Sequence, residues 1–183
     1  MSGGAKTFSV ELDTSGLDAY LDELGGQVEE AVRPAAQAGA QVLYDQVKGN
    51  VAALGSHSGK LSAAIYQKFS DEQSSDGVAV YNISWNAKKA PHGHLVEYGY
   101  LQRYVYRPDG MGPMVRPGME GKPKPASGGR NRAALAAYYV TLDTPKHVPG
   151  KFFVRKAATA MDKAYEAAEA ELLKRINGKA NEP

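Results

Sequence analysis

Two histidines and a glutamate stand close together in HGHLVEYGY, residues 92–100. Neutral imidazoles and a carboxylate are familiar zinc ligands, and on a β-strand His92 and His94 would share one face, so His92, His94 and Glu97 form a candidate metal triad. The flanking residues argue for architecture instead. His92 follows Pro91 and precedes Gly93, a context typical of a turn, where two rings need not point the same way. The helical HExxH spacing is absent. On the structural reading, His94 packs or hydrogen-bonds at the start of an apolar element. His57 and His147 sit in polar or proline-flanked segments, where exposed histidines are the ordinary expectation.

Other catalytic chemistry finds less support. There is no cysteine, no GxSxG elbow and no serine beside an activating base, so nucleophilic catalysis has no obvious agent. Neither GxGxxG nor a Walker loop occurs, and the glycines of GMGPMVRPG are separated by bulky residues and proline. Asp22-Glu23 and Glu29-Glu30 fall within helical patterns and read as solvated faces. No cofactor is implied.

A different chemistry is concentrated between Tyr100 and Gly150. This stretch holds seven of the ten prolines, and eight basic residues against three acidic ones, an excess of +5 in a chain whose net charge is only +2. Arg103, Arg107, Arg116, Lys122, Lys124, Arg130 and Arg132 are interleaved with Tyr100, Tyr104, Tyr106, Tyr138 and Tyr139. Cations could meet phosphates while phenol rings stack on bases, which makes nonspecific DNA contact one candidate role. Protein contact is the other, because an extended segment can add strand pairing or anchor Met111, Met114, Val115 and Met119 on a neighbour. RPDGMGPMVRPGMEGKPKPASGG reads as an extended, mobile loop, and NRAALAAYYVTL as helix or strand.

The elements that would position these residues are legible from periodicity. TFSVEL, residues 7–12, alternates like a short strand. Leu17, Tyr20, Leu21 and Leu24 repeat at helical spacing until Gly25-Gly26, where a break is expected. A longer helix follows through Val28, Val32, Ala35, Gly39, Val42, Leu43 and Val47, with Pro34 a possible kink. Its small residues from Ala31 to Ala40 would let another backbone approach closely. GSHSGK is a turn. VAVYNISW, residues 78–85, is rich in β-branched and aromatic residues and predicts a strand, with 65–70 its antiparallel partner or else a helical turn. Val154, Ala158, Met161, Tyr165, Ala168, Leu172 and Ile176 form an apolar stripe on a final helix that Asn177-Gly178 would stop, leaving KANEP as a frayed tail.

At 183 residues the chain suits a single domain, 1–183, with 100–147 as a proline- and glycine-rich basic insertion. No apolar run approaches membrane-helix length, and no signal-like stretch opens the chain. A soluble protein made in a reducing cytoplasm is expected.

The order of motifs carries more than any one of them. SGKLSAAIYQKF, GVAVYNISW, APHGHLVEYGY and HVPGKFFVRKAATAM follow one another before a long terminal helix. This succession resembles the tail-completion or neck proteins of tailed bacteriophages, the head–tail joining family that includes the lambda minor tail protein Z type. The resemblance runs over residues 17–99 and 147–176. It rests on Ser58, Gly59 and Leu61; on His94, Leu95, Val96, Glu97, Tyr98 and Gly99; and on Pro149, Phe152, Phe153, Val154, Arg155 and Ala158. The chain departs from the family pattern in Tyr100, where threonine or serine is usual, and in the length of 100–147.

The resemblance implies a non-enzymatic virion protein at the head–tail junction, assembled in the bacterial host. Copies would form a ring, six favoured, contacting neighbouring connector and tail proteins, with genomic DNA in the channel and no membrane. It also implies that the His94–Gly99 motif is neither catalytic nor metal-binding. Leu95, Val96 and Tyr98 would be buried, Gly99 would permit a tight turn, and Glu97 would pair with Arg155 or accept backbone hydrogen bonds. The fold expected is α+β: a small, mostly antiparallel sheet packed by long N- and C-terminal helices, with an extended proline-rich arm. The alternatives are a nonspecific DNA-binding protein and a metal-dependent enzyme.

Overall fold

The computed structural model describes residues 15–55, 59–110 and 112–179. The expected strand 7–12, His57, Ser58, Met111 and the tail from Ala180 lie outside them.

A single helix, α1 (Ser15–Ala53), replaces the two expected. Gly25 and Gly26 lie within it, and the helix continues through Pro34. A glycine inside a helix costs only about 1 kcal/mol relative to alanine, which cooperative hydrogen bonding and packing of the rest can offset. Ala31, Ala35, Ala40, Val47 and Val51 are buried along one side. The small residues permit the close approach their pattern suggested. A Cβ on Gly39 would stand 2.8 Å from the Ala164 carbonyl oxygen of the terminal helix.

That helix, α5 (Met161–Lys179), is preceded by a 3₁₀ stretch, Arg155–Ala160. Here the apolar stripe is corrected. Ala157, Ala160 and Ala164 are buried, whereas Ala158, Met161 and Tyr165 of the expected stripe are exposed; its other members, Val154, Ala168, Leu172 and Ile176, are half-buried as expected. The helix also continues past Asn177-Gly178 to Lys179. Side-chain size decides the choice: the alanine line brings the backbones of α1 and α5 together, and the bulky line would hold them apart.

The strands form two two-stranded antiparallel sheets, so the α+β expectation holds. After α2 (Lys60–Ala64), β1 (Ile65–Phe69) pairs with β2 (Tyr81–Trp85), Ile65 opposite Trp85 and Phe69 opposite Tyr81. LSAAIYQKF is thus helix and then strand. The second strand is shorter than expected, since Val78 only bridges to Ser75 across the preceding turn. Arg33 of α1 lies over the Phe69 ring at 4.1 Å, fixing this sheet against the helix.

Helix α3 (Gly93–Tyr98) runs directly into β3 (Gly99–Tyr104), which pairs with β4 (Thr141–Pro149). Between these strands, α4 (Arg132–Tyr138) precedes β4. Of the loop expected here, only the first part is folded back; residues 117–128 have no regular element and are almost all exposed. Met114 donates its amide to Val105 and Val140 donates to Met114, at 2.8 and 2.9 Å. Tyr139, 8% exposed, packs on Tyr104 and Tyr138. Backbone pairing and aromatic burial fold residues 105–116 and 138–140 onto the hairpin despite their prolines and glycines.

Candidate functional site

The motifs of the resemblance meet where two main-chain segments cross. Leu61 packs against a buried cluster of Val47, Val51, Ile65, Phe153 and Ala157, with Trp85 and Val96 around it. Gly59, at φ 66°, starts α2 in a left-handed conformation that suits glycine. Phe153 is fully buried and meets Trp85 edge to face, ring centres 5.5 Å apart. The indole also lies where a Cβ on Gly93 would be, so α3 sits directly on Trp85.

Residues 149–153 then cross the end of α3. Lys151 donates its amide to the Val96 carbonyl at 2.7 Å, and Phe152 donates to the Glu97 carbonyl at 3.1 Å. These bonds satisfy carbonyls that the short helix leaves without partners. Gly99 and Gly150 make the crossing possible. A Cβ on Gly99, at φ 83°, would be 2.5 Å from the Val148 carbonyl oxygen, and one on Gly150 would overlap the Glu97 carbonyl. Phe152 adopts φ 53°, a left-handed conformation costing a non-glycine residue about 1–2 kcal/mol, and its neighbour Phe153 is thereby turned into the core.

Glu97 closes the crossing. It is 2% exposed, the one buried charged side chain among the described residues. Its carboxylate accepts from the amides of Val154 at 3.0 Å and Arg155 at 3.2 Å. Both oxygens therefore cap the first turn of the 3₁₀ stretch leading into α5, where unpaired N–H groups and the helix dipole favour an anion. Of the two partnerships expected for Glu97, the backbone one is formed. Arg155 directs its guanidinium over the Phe152 ring at 5.0 Å instead.

The remaining site candidates are dispersed. His92 precedes α3, His94 is exposed on it, and both Glu97 oxygens are engaged by amides. Among the described residues no group of three His, Cys, Asp or Glu side chains gathers to hold a metal. Leu95 and Val96 are half-buried, but Tyr98 is 60% exposed, contrary to expectation, because Gly99 and Gly150 occupy the space beneath its backbone.

In the arm, Arg116 is used internally. Its Nε donates to the Ala136 and Tyr139 carbonyls and its Nη2 to the Thr141 hydroxyl. Arg103 is half-buried; Arg107 lies 3.9 Å from Asp109; Lys122 has its Nζ near the Met119 sulfur. Lys124, Arg130 and Arg132 are exposed. Asn50, which sequence reasoning missed, donates to the Phe153 carbonyl at 2.8 Å. Its signal was a polar residue beside Val47 and Val51 on the apolar side of a helix.

The crossing therefore works as a joint, with β3 leaving it and β4 returning to it.

Residues 15–99 match the model of a family described as "Bacteriophage HK97-gp10, putative tail-component". The match begins with α1 and ends at Gly99, so it contains every part of the joint except the returning segment 149–155. The match covers less than half of the chain and is a similarity to phage tail components, coarser than the lambda Z type. No curated protein and no solved structure matches the chain. No helix among the described residues is long and apolar enough to cross a membrane.

Proposed function

We propose that the chain is a structural protein of a tailed bacteriophage virion and forms part of the neck ring joining the DNA-filled head to the tail. The observation that carries this reading is the tail-component match over 15–99, which includes Gly59, Leu61 and the stretch His94–Gly99. The geometry supports an assembly role: a buried joint ties α1 and α3 to the 3₁₀ stretch that leads into α5 and roots a basic arm. On this reading the ring, six copies favoured, contacts neighbouring connector and tail proteins. The passage must accommodate the genome, and the local positive charge lines it or clamps an adjacent ring.

Cryo-electron microscopy of intact particles tests this. The expected result is density for this chain in a symmetric ring between portal and tail. A neck fully accounted for by other chains, with this one absent, overturns the reading.

Nonspecific DNA binding is the second reading, favoured by the exposed Lys124, Arg130, Arg132 and Lys146. It requires the isolated protein to bind duplex with an affinity that falls steeply with salt and is lost when these cations are neutralised.

A further inference from the structure

The two ends of the molecule carry opposite charge and unmatched apolar surface. At one end, Gln27, Glu30 and Ala31 of α1 face Glu171, Lys174, Arg175 and Gly178 of α5 across a groove. Since α5 ends at Lys179, the turns of α1 before Gln27 run past its last described turn. They leave Tyr20 61% and Leu21 52% exposed, on the same side as the half-buried Leu24 and Val28. Residues 20–32 contain four acidic and no basic residues, and residues 166–179 of α5 contain three of each sign. The two segments together therefore keep a net negative charge, and Asp22, Glu23 and Glu29 are exposed.

The other end is the arm, with its excess of +5 over 100–147. Lys124, Arg130, Arg132 and Lys146 are exposed there, and Leu101 and Tyr106 present apolar surface at 45% and 37% exposure. The arm is rooted at the opposite end of α1, where Asn50 binds the Phe153 carbonyl. From Tyr20 to Asn50 the helix spans about 45 Å. With the chain's own arm in place Tyr20 and Leu21 remain exposed, so the arm does not cover the acidic end of its own chain.

We propose that the exposed face of α1 around Tyr20–Glu29 is the docking surface for the basic arm of a second copy of this chain. Tyr20 and Leu21 meet the apolar surface of the arm, while Asp22, Glu23 and Glu29 meet its cations. Charge complementarity of this kind sets partner choice and register. Because the two surfaces differ, the contact is head-to-tail, and repetition closes a ring or extends a filament. The inference deepens the ring reading and rests on it for its biological setting, but its physical claim concerns the isolated protein.

Two charge-reversed full-length variants test it. One carries Asp22→Lys, Glu23→Lys and Glu29→Lys; the other carries Lys124→Glu, Arg130→Glu, Arg132→Glu and Lys146→Glu. Circular dichroism checks that each folds, and sedimentation velocity reads association at about 0.05 M and about 0.5 M salt. Wild type is expected to self-associate at low salt, each variant alone to associate roughly tenfold or more weakly, and an equimolar mixture to recover alternating assemblies. A Leu21→Ser variant, unchanged in charge, should weaken association at both salt concentrations. Three results overturn the proposal: a monomeric wild type at low salt, variants that associate like wild type, or a mixture that does not recover. Loss of duplex binding by the arm variant with self-association intact assigns the arm to DNA and also overturns it. None of these outcomes touches the ring reading, which particle imaging decides separately.

Discussion

At the base of the β3/β4 hairpin the chain is held by buried groups: Phe153 against Trp85, the Glu97 carboxylate on two amides, and two glycines in main-chain contact. At the outer end of the same hairpin, residues 105–140 are held by a few backbone bonds, a tyrosine cluster and the exposed Arg116 fork. One hairpin thus has a dry joint and a wet arm. Buried contacts of the first kind tolerate little change, because interiors are close-packed and unmade hydrogen bonds there are costly. Contacts of the second kind compete with water and are expected to yield locally without unfolding the whole.

That contrast can be broken most directly at Phe153. Phe153→Ala should lower the unfolding free energy by about 3–5 kcal/mol, read from the denaturant midpoint. A loss below about 1 kcal/mol would mean that the joint is not the centre of the core. Next comes Gly99, whose φ of 83° and ψ of 177° are glycine territory and whose Cβ would be blocked by main chain. Gly99→Ala should cost about 2–4 kcal/mol by the same measurement.

Glu97 sharpens the comparison. Glu97→Ala leaves two amides without their acceptor and should cost about 1–3 kcal/mol, with Glu97→Gln losing less. Arg155→Ala keeps the amide that Glu97 binds, so its loss should stay within about 0.5 kcal/mol. Equal losses from Glu97→Ala and Arg155→Ala would show that the guanidinium matters after all.

The arm should respond more weakly. Arg116→Ala removes the tie between the end of α4 and β4, at a cost of about 1 kcal/mol. Hydrogen exchange should accelerate over 132–141 while α1 keeps its protection; uniform acceleration would tie the arm's stability to that of the joint. The smallest effect is a titration. Burial first, then hydrogen bonding to and charge on Tyr100, raise the Tyr106 hydroxyl to about 12. A phenol raised in the folded state keeps its proton longer than in the unfolded chain, so its contribution is intact below about pH 10 and is lost between about pH 10 and 12. Ultraviolet difference titration should show one late-ionising tyrosine that Tyr106→Phe removes.

Legibility in the sequence followed the same division. The residues of the joint stood out because their order is specific: Gly59 and Leu61, His94 to Gly99, and Pro149 to Arg155. Asn50 and Gly150 were not singled out, since their roles depend on a main-chain carbonyl more than 50 positions away. Composition misled in the arm. Prolines and glycines spoke for an extended segment, while Tyr104, Tyr138 and Tyr139 supplied a small apolar cluster that folds it. At the other end, Gly25-Gly26 predicted a break because local propensity omits the cooperative gain of a helix 39 residues long.

By itself the sequence determined several elements and their order: helix towards each end, a strand ending at Trp85, and a motif succession similar to phage tail components. These are local properties, written in periodicity and in neighbouring residue types. Only the tertiary structure decided that Ala160 and Ala164, rather than Met161 and Tyr165, are buried at the start of α5. It alone determined that Glu97 binds the amide of Arg155 and not the guanidinium, and that Tyr20 and Leu21 are left exposed. Each of these depends on which surfaces meet across long sequence separations, and close packing with satisfied buried polar groups selects among arrangements that periodicity leaves equivalent.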